Sequence, residues 1–226
     1  WLARHDTLEE EALIIASFFR SSNNRRIQKK PSRQSPRIMG LQFWPQYDGL
    51  MTWPMLCVPP AAYMAMAVAS SRMWPAGKKL EVKNAMRVYN VVQIALCLYM
   101  TFGLWPVVSV PNVFGINSEF TARGEWFVFV HYLSKFLDWF DTFFIVVKDN
   151  TTKQFSLLHV YHHGTIGFVW GVLLRFGAGN GSARYGALIN SITHVFMYSH
   201  YLYTSFGLRN PLRDLLTKWQ IFQFYT

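Results

Sequence analysis

The sequence predicts an all-α, polytopic transmembrane helix bundle, and three observations predict it. Apolar runs of about 20 residues recur along the chain, the length at which an α-helix crosses a hydrocarbon core. Short segments carrying Lys and Arg separate these runs. Polar and charged residues inside the later runs recur at helical spacing, as expected where several helices face one another. Half of the residues are apolar (51%) and 17% are aromatic, a supply that suits a bundle embedded in lipid.

The first 44 residues read as a separate polar and basic tail, disordered or lying on a membrane surface. Leu8 to Phe19 is amphipathic, and Arg20 to Arg37 holds seven basic residues, no acid, and both Pro31 and Pro36. The tail lacks the charge-then-apolar order of a signal peptide. The chain begins at Trp1 and stops at Thr226 within an apolar pattern, so it reads as a piece truncated at one or both ends.

Five full spans are expected in residues 45–226. The first is Leu50 to Ser70, interrupted by Pro54, Pro59 and Pro60, and the second is Val88 to Val110. The third is Trp126 to Val147, the fourth Phe155 to Phe176 and the fifth Tyr185 to Phe206, and a sixth begins near Thr217. Cys57 and Cys97 both fall in apolar runs, which reads as buried packing; two such residues make neither a disulfide framework nor a metal quartet.

Loop charge sets the expected orientation. Odd loops carry Arg72, Lys78, Lys79, Lys83, Arg87, Lys148, Lys153, Arg209, Arg213 and Lys218, whereas even loops carry Arg123, Arg175 and Arg184. By the positive-inside bias the odd loops are cytosolic and the N-terminus lies on the other side. The basic stretch 20–37 argues the opposite way, and the alternation over five short loops outweighs it. Basic loops beside spans also account for the net charge of +10, so no nucleic-acid partner is inferred.

The polar residues within the spans carry the functional signal. Lys135, Asp138, Asp141 and Thr142 are spaced i, i+3, i+6 and i+7, which puts them on one stripe of a helix. The stripe is either a structural ion pair between helices or the charged wall of a cavity. His159, His162 and His163 bring three imidazoles to one face at the entrance of span four. They suit either a metal site or nucleophilic and acid–base catalysis. Asn190, His194, Met197, Tyr198 and Tyr201 lie in span five, the last four on a common face, and Gln220 and Gln223 share a face of the sixth segment. Interhelical hydrogen bonding is the plain alternative for the tyrosines and glutamines. With the orientation above, all four groups converge on the cytosolic half of one bundle.

These four groups resemble, in order, the motifs Lys-x-x-Glu-x-x-Asp-Thr, His-x-x-His-His, His-x-x-Met-Tyr-x-Tyr-Tyr and Thr-x-x-Gln-x-x-Gln of the ELO fatty acid elongases. The stretch Lys83-Asn-Ala-Met-Arg-Val-Tyr89-Asn90-Val-Val-Gln93 also looks like that family, and the resemblance covers about residues 45–226. Asp138 stands where the motif has Glu, and His200 stands where it has the first of the paired tyrosines.

The resemblance implies seven spans, an endoplasmic reticulum membrane with the N-terminus in the lumen, and an active-site mouth toward the cytosol. It implies an acyltransferase, a 3-oxoacyl-CoA synthase that condenses a long-chain acyl-CoA with malonyl-CoA. The products are 3-oxoacyl-CoA, carbon dioxide and CoA. It implies no metal and no cofactor beyond these substrates. Partner enzymes, a ketoacyl reductase, a dehydratase and an enoyl reductase, complete the cycle. His162 is the expected acyl carrier, with His163, His159 and His194 orienting it or moving protons, and Lys135 with the basic loops meeting CoA phosphates. The sequence around Gln154 and Asn190 looks most like polyunsaturated-type members.

Two other classes compete. A di-iron membrane desaturase needs three His boxes, and of the seven His here His5 and His131 lie outside the clusters. A non-enzymatic membrane receptor or scaffold has no use for an imidazole triplet facing Lys135, Asp138 and Asp141.

The spanning runs generate a first prediction: alkaline carbonate washing leaves the protein in the membrane pellet, and its appearance in the supernatant would sink the multi-span reading.

Overall fold

The computed structural model describes residues 39–75, 77–108, 120–148, 155–179, 181–211 and 213–223. The expected N-terminal amphipathic and basic stretches lie outside the described residues. Among the described residues, seven helices follow in order: α1 (Trp53–Met73), α2 (Lys83–Leu104), α3 (Ala122–Leu137), α4 (Trp139–Val147), α5 (Leu157–Arg175), α6 (Ser182–Ser205) and α7 (Arg213–Gln223). Short 3-10 turns precede α1 (Pro45–Met51) and follow α2 (Trp105–Val107). No strand occurs among the described residues, which agrees with the all-α expectation.

The ends of these helices follow from local chemistry. Pro54 sits in the first turn of α1, where its missing N–H costs nothing. Pro59 and Pro60 lie inside α1, yet the helix runs on through them, so the interruption expected there does not end the element. Thr121 caps α3 by accepting from the Gly124 N–H at 3.1 Å, and Ser156 caps α5 by accepting from the His159 N–H at 3.1 Å. The second cap sets the register of the His cluster at the very start of α5. Arg123 donates to the carbonyls of Gly103 (2.8 Å) and Phe102 (3.1 Å), closing the C-terminal end of α2.

Span three is the main departure from the expected pattern. It is two helices, α3 and α4, meeting at Asp138. The Asp141 N–H turns to the Asp138 carbonyl at 3.1 Å, a tight i→i+3 bond. The Leu137 carbonyl accepts instead from the Tyr89 hydroxyl at 3.3 Å. The expected single stripe of Lys135, Asp138, Asp141 and Thr142 is therefore folded at its second member.

The α3–α4 pair is the centre of the bundle. Helix α3 packs on α2, α5 and α6, while α1 packs on α4 and α5. Three glycines allow close approach. Gly103 receives the Phe127 ring, Gly164 faces Met64, and Gly171 faces Leu56 and Tyr132. The main apolar core, including Leu56, Met100, Leu104, Phe129 and Leu174, lies around the start of α3 and the end of α5.

That end of the bundle is closed by residues 40–51. The Gly40 N–H donates to the Arg175 carbonyl at 2.7 Å, and the Leu41 N–H to Asp48 Oδ1 at 2.8 Å. Glu125 accepts from the successive N–H groups of Gln42 (2.6 Å) and Phe43 (2.7 Å). Leu41 is buried and Trp44 packs on Trp126, 5.1 Å between ring centroids. Residues 40–44, expected in the tail, thus already pack against the bundle.

Helices α1 and α2 are long and apolar enough to cross a membrane, and only 22% and 33% of their most apolar windows are buried. A core helix of a soluble protein would be mostly buried; here Val58, Met66, Val88 and Phe102 point outward, each more than 60% exposed. Cys97 is buried, but Cys57 is exposed on this outer face, contrary to the expectation for both. Lipid accommodates an outward apolar residue as readily as a core does. Among the described residues, the other helices do not meet the same apolar test. Helices α5 and α6 hold the His cluster and Asn190, and α4 and α7 are short at 9 and 11 residues.

A side chain at Gly171 would enter the space of Leu56 and come within 2.8 Å of Tyr132, whereas one at Gly49 meets nothing within 4 Å. Gly171→Ala is expected to cost about 1–3 kcal/mol, lowering the detergent-solubilised Tm by roughly 2–4 °C per kcal/mol, with Gly49→Ala near neutral. Equal Tm values for the two variants would contradict the packing described.

Candidate active site

Asp138, 3% exposed, is the hub of a polar layer beyond the apolar core. Lys135 Nζ donates to Asp138 Oδ2 at 3.3 Å and to Asn190 Oδ1 at 2.9 Å. Gln93 Nε2 donates to Asp138 Oδ1 at 2.9 Å and reaches the Tyr89 hydroxyl at 2.8 Å. The Tyr198 hydroxyl donates to Asp141 Oδ2 at 2.8 Å and lies 3.3 Å from Asp138 Oδ1. Donors from α2, α3 and α6 thus converge on one carboxylate at the α3–α4 break. His163 and His194 lie within electrostatic reach of the same group. A buried ion pair with this much supporting hydrogen bonding is tolerable in a bundle; bare, it would be strongly unfavourable.

A second cluster joins α1, α4 and α5. Tyr63 OH and Thr142 Oγ1 are 2.6 Å apart, and Thr142 Oγ1 is 2.8 Å from His159 Nε2. Trp139 stacks on Tyr63 with centroids 4.7 Å apart, and its indole N–H donates to the His163 carbonyl at 2.8 Å. The imidazoles lie close together, with centroids 4.4 Å apart for His159 and His163 and 5.5 Å for His162 and His163.

A cavity of about 750 Å³ opens beside these layers, at the bundle end opposite residues 40–51. Its wall includes Asp141, His159, His163, Met197 and Tyr201 among the expected residues. Lys83 and Lys148 stand at its rim, where the Leu80 N–H donates to the Val147 carbonyl at 2.9 Å and ties the α1–α2 connection to the end of α4.

The expected residues therefore divide into three sets. Asp141, His159, His163, Met197 and Tyr201 face the cavity. Lys135, Asp138, Thr142, Asn190 and Tyr198 form the supporting network behind it. His162, His194, Gln220 and Gln223 are not among the described lining residues. Of these, His162 abuts His163 and His194 abuts Tyr198 at 5.6 Å. Helix α7, which carries both glutamines, is joined to α6 by the Trp219 indole N–H donating to Thr193 Oγ1 at 2.9 Å. Lys135 corrects one expected role. Its ammonium is buried against Asp138 and Asn190, so it is not placed to meet a CoA phosphate, and Lys83 and Lys148 are the cations at the rim. Among the described residues, no three His, Cys, Asp or Glu side chains are gathered to hold a metal ion.

A family profile described as ELO, the GNS1/SUR4 family, matches residues 50–226. The chain belongs to the ELO family. Curated relatives agree. The chain is 43% identical over 185 residues to a fatty acid elongase 5 of Trypanosoma cruzi (strain CL Brener), spanning 82% of this chain and 72% of that protein. It is 44% identical over 184 residues to a fatty acid elongase 5 of Leishmania major (81% and 73%). It is 42% identical over 187 residues to a fatty acid elongase 4 of Trypanosoma brucei brucei (strain 927/4 GUTat10.1), covering 83% and 73%.

The two departures from the ELO motifs fall in different settings. Asp138 sits at the hub itself. His200 pairs with Asn210, Nδ1 to Nδ2 at 2.8 Å, at the end of α6 and outside the hub. Sequence reasoning left four participants out of the candidate site: Tyr63, Tyr89, Gln93 and Trp139. Tyr89 and Gln93 carried a usable signal, a polar i, i+4 pair in an ELO-like stretch; Tyr63 and Trp139 did not stand out from the other aromatics.

Lys135→Met leaves the Asp138 carboxylate buried without its cation and is expected to cost about 3–5 kcal/mol of stability. Adding Asp138→Leu is expected to restore much of that stability without restoring activity. Thermal unfolding in detergent reads both steps, and a neutral single variant would contradict the ion pair's role.

Proposed function

We propose that this ELO chain catalyses the condensing step of fatty acid elongation, joining a long-chain acyl-CoA to malonyl-CoA as a membrane-bound acyltransferase. The observation that supports this best is the cavity, with cations at its rim and imidazoles in its wall, in a chain whose relatives are named fatty acid elongases. The rim lysines suit the phosphates of a CoA carrier. The imidazoles lie deeper, where a thioester would follow.

The reaction divides into two transfers. A neutral imidazole nitrogen attacks the acyl thioester carbon, the carbon–sulfur bond breaks, and CoA leaves as thiolate and takes a proton. Malonyl-CoA then binds and loses carbon dioxide. The electron pair left on its α-carbon attacks the acyl-imidazole, and the ring leaves, giving 3-oxoacyl-CoA. Splitting one hard step in this way produces ping-pong order. We assign the acyl carrier to His162; His163, on the cavity wall beside it, is the alternative that the position of the adduct would reveal. The Tyr63–Thr142–His159 chain orients its imidazole and offers a path for a proton. The Asp138 hub holds α4 against α2 and α6. No metal or further cofactor is needed for this chemistry.

The same reading places the protein in the endoplasmic reticulum membrane, in a seven-span ELO arrangement with the cavity mouth toward the cytosol. Reductase, dehydratase and enoyl reductase partners receive its product. Polyunsaturated chains are the proposed preference, from the motif variants near Gln154 and Asn190.

Purified full-length protein incubated with acyl-CoA alone is expected to release CoA and to carry an acyl adduct on His162. His162→Ala is expected to all but abolish turnover, since the nucleophilic route supplies many orders of magnitude. An adduct on His163 moves the assignment by one residue. Stoichiometric iron with chelator-sensitive activity and no adduct would overturn the mechanism. A panel of acyl-CoAs with labelled malonyl-CoA tests chain preference in the same preparation.

A further inference from the structure

Asn90 has no role in the hydrogen-bonded network just described, although its neighbour Tyr89 does. It lies on α2, is 3% exposed, and lines the 750 Å³ cavity. Its Nδ2 is buried with no hydrogen-bond partner among the described residues. An amide N–H taken out of water and left unpaired is destabilising. The deeper buried positions of α2 are mostly apolar, Cys97, Met100 and Leu104. An apolar side chain of Asn90's size would serve packing better, so stability does not explain the amide.

Among the described residues, the open space that Asn90 adjoins is the cavity. The same wall carries a second unpartnered buried polar atom, Nδ1 of His163 on α5. Asp141, also on that wall, already accepts from Tyr198. A carboxylate on the same wall disfavours an anionic ligand group there, and the lysines stand at the rim. A neutral acceptor fits best, and each substrate brings one, the thioester carbonyl oxygen.

We infer that Asn90 is a substrate-binding residue whose Nδ2–H donates to the thioester carbonyl oxygen of the bound acyl-CoA. The inference rests on the condensing activity proposed above. As the imidazole attacks, the carbonyl π electrons move onto this oxygen, and the Asn90 donor stabilises the developing charge. When CoA leaves, the pair returns to re-form the carbonyl. A donor held in place by the bundle acts most strongly at the moment of charge development, so its effect falls on turnover more than on binding.

The test uses full-length protein with a long-chain acyl-CoA and labelled malonyl-CoA, reading kcat, KM, CoA release from acyl-CoA alone, and Tm. Asn90→Leu keeps the volume and removes the donor. Asn90→Asp keeps the shape and replaces the donor with an acceptor. The expected result is a Tm for Asn90→Leu equal to or above that of the parent. Its kcat and its CoA release fall about 10²-fold, as when one oxyanion donor is lost. Its KM changes by less than about threefold. Asn90→Asp is expected to be at least as impaired. If Asn90→Leu does not fold, the Asp variant decides by the same criterion. A folded variant that retains kcat within about threefold of the parent overturns the inference. So does a loss of activity that tracks a lowered Tm, which marks a packing role. A parent that neither releases CoA nor condenses malonyl-CoA overturns the condensing reading itself, and this inference with it.

Discussion

A carboxylate withdrawn from water needs donors, and Asp138 draws them from three helices. Lys135 comes from α3 and Gln93 from α2, each held by a second bond, to Asn190 and Tyr89 respectively, and Tyr198 from α6 shares its one proton between Asp141 at 2.8 Å and Asp138 at 3.3 Å. The position of this carboxylate at the α3–α4 break makes the arrangement possible. In a continuous helix the Leu137 carbonyl would be engaged by the Asp141 N–H; here it is free to accept from Tyr89. The break and the hub therefore support each other. Neither polar side chains nor open backbone groups can be left unanswered in a low-dielectric bundle.

The two ends of the molecule are built for different work. At one end Glu125, Asp48 and the Arg175 carbonyl take up backbone N–H groups of residues 40–43, and the aromatic rings of Trp44, Tyr47, Trp126 and Phe129 pack together. That end is closed and apolar within. At the other end, the termini of α2, α4, α5 and α6 surround the open cavity. The polar layer at Asp138 lies between the two, so residues facing the cavity rest on a network that their neighbours have already satisfied. The positions on which catalysis is proposed to depend are thereby fixed before any substrate arrives, which is the condition for electrostatic preorganisation.

Motif residues that look equivalent in the sequence take unequal places. Met197 and Tyr201 face the cavity, while Tyr198, between them in number, points into the hub. Tyr198 is one step of about 100° from Met197, whereas Tyr201, four residues on, comes back to within about 40° of Met197, so the two outer residues share a face that Tyr198 does not. His159 and His163, one turn apart, lie close with tilted rings and share the wall; His162 lies against His163 from the side. Gln220 and Gln223 ride on α7, which meets the bundle through α6.

Much of the fold was legible because membrane helices announce themselves by length and apolarity, and because polar residues inside them are rare enough to mark the site. Lys135, Asp138, Asp141, the His cluster and the Asn190–Tyr201 stretch were readable for that reason. Spacing along one helix says which residues share a face, and nothing about what that face meets. The break at Asp138, the burial of Lys135 away from the rim, the recruitment of Tyr63 and Trp139, and the unpaired amide of Asn90 all depend on side chains contributed by other helices. The sequence by itself determined the helices, their order and the polar residues available. Only the tertiary structure decided which of those residues satisfy one another and which are left facing the cavity, because hydrogen-bond partnership in a bundle is set by contacts between elements far apart in the chain.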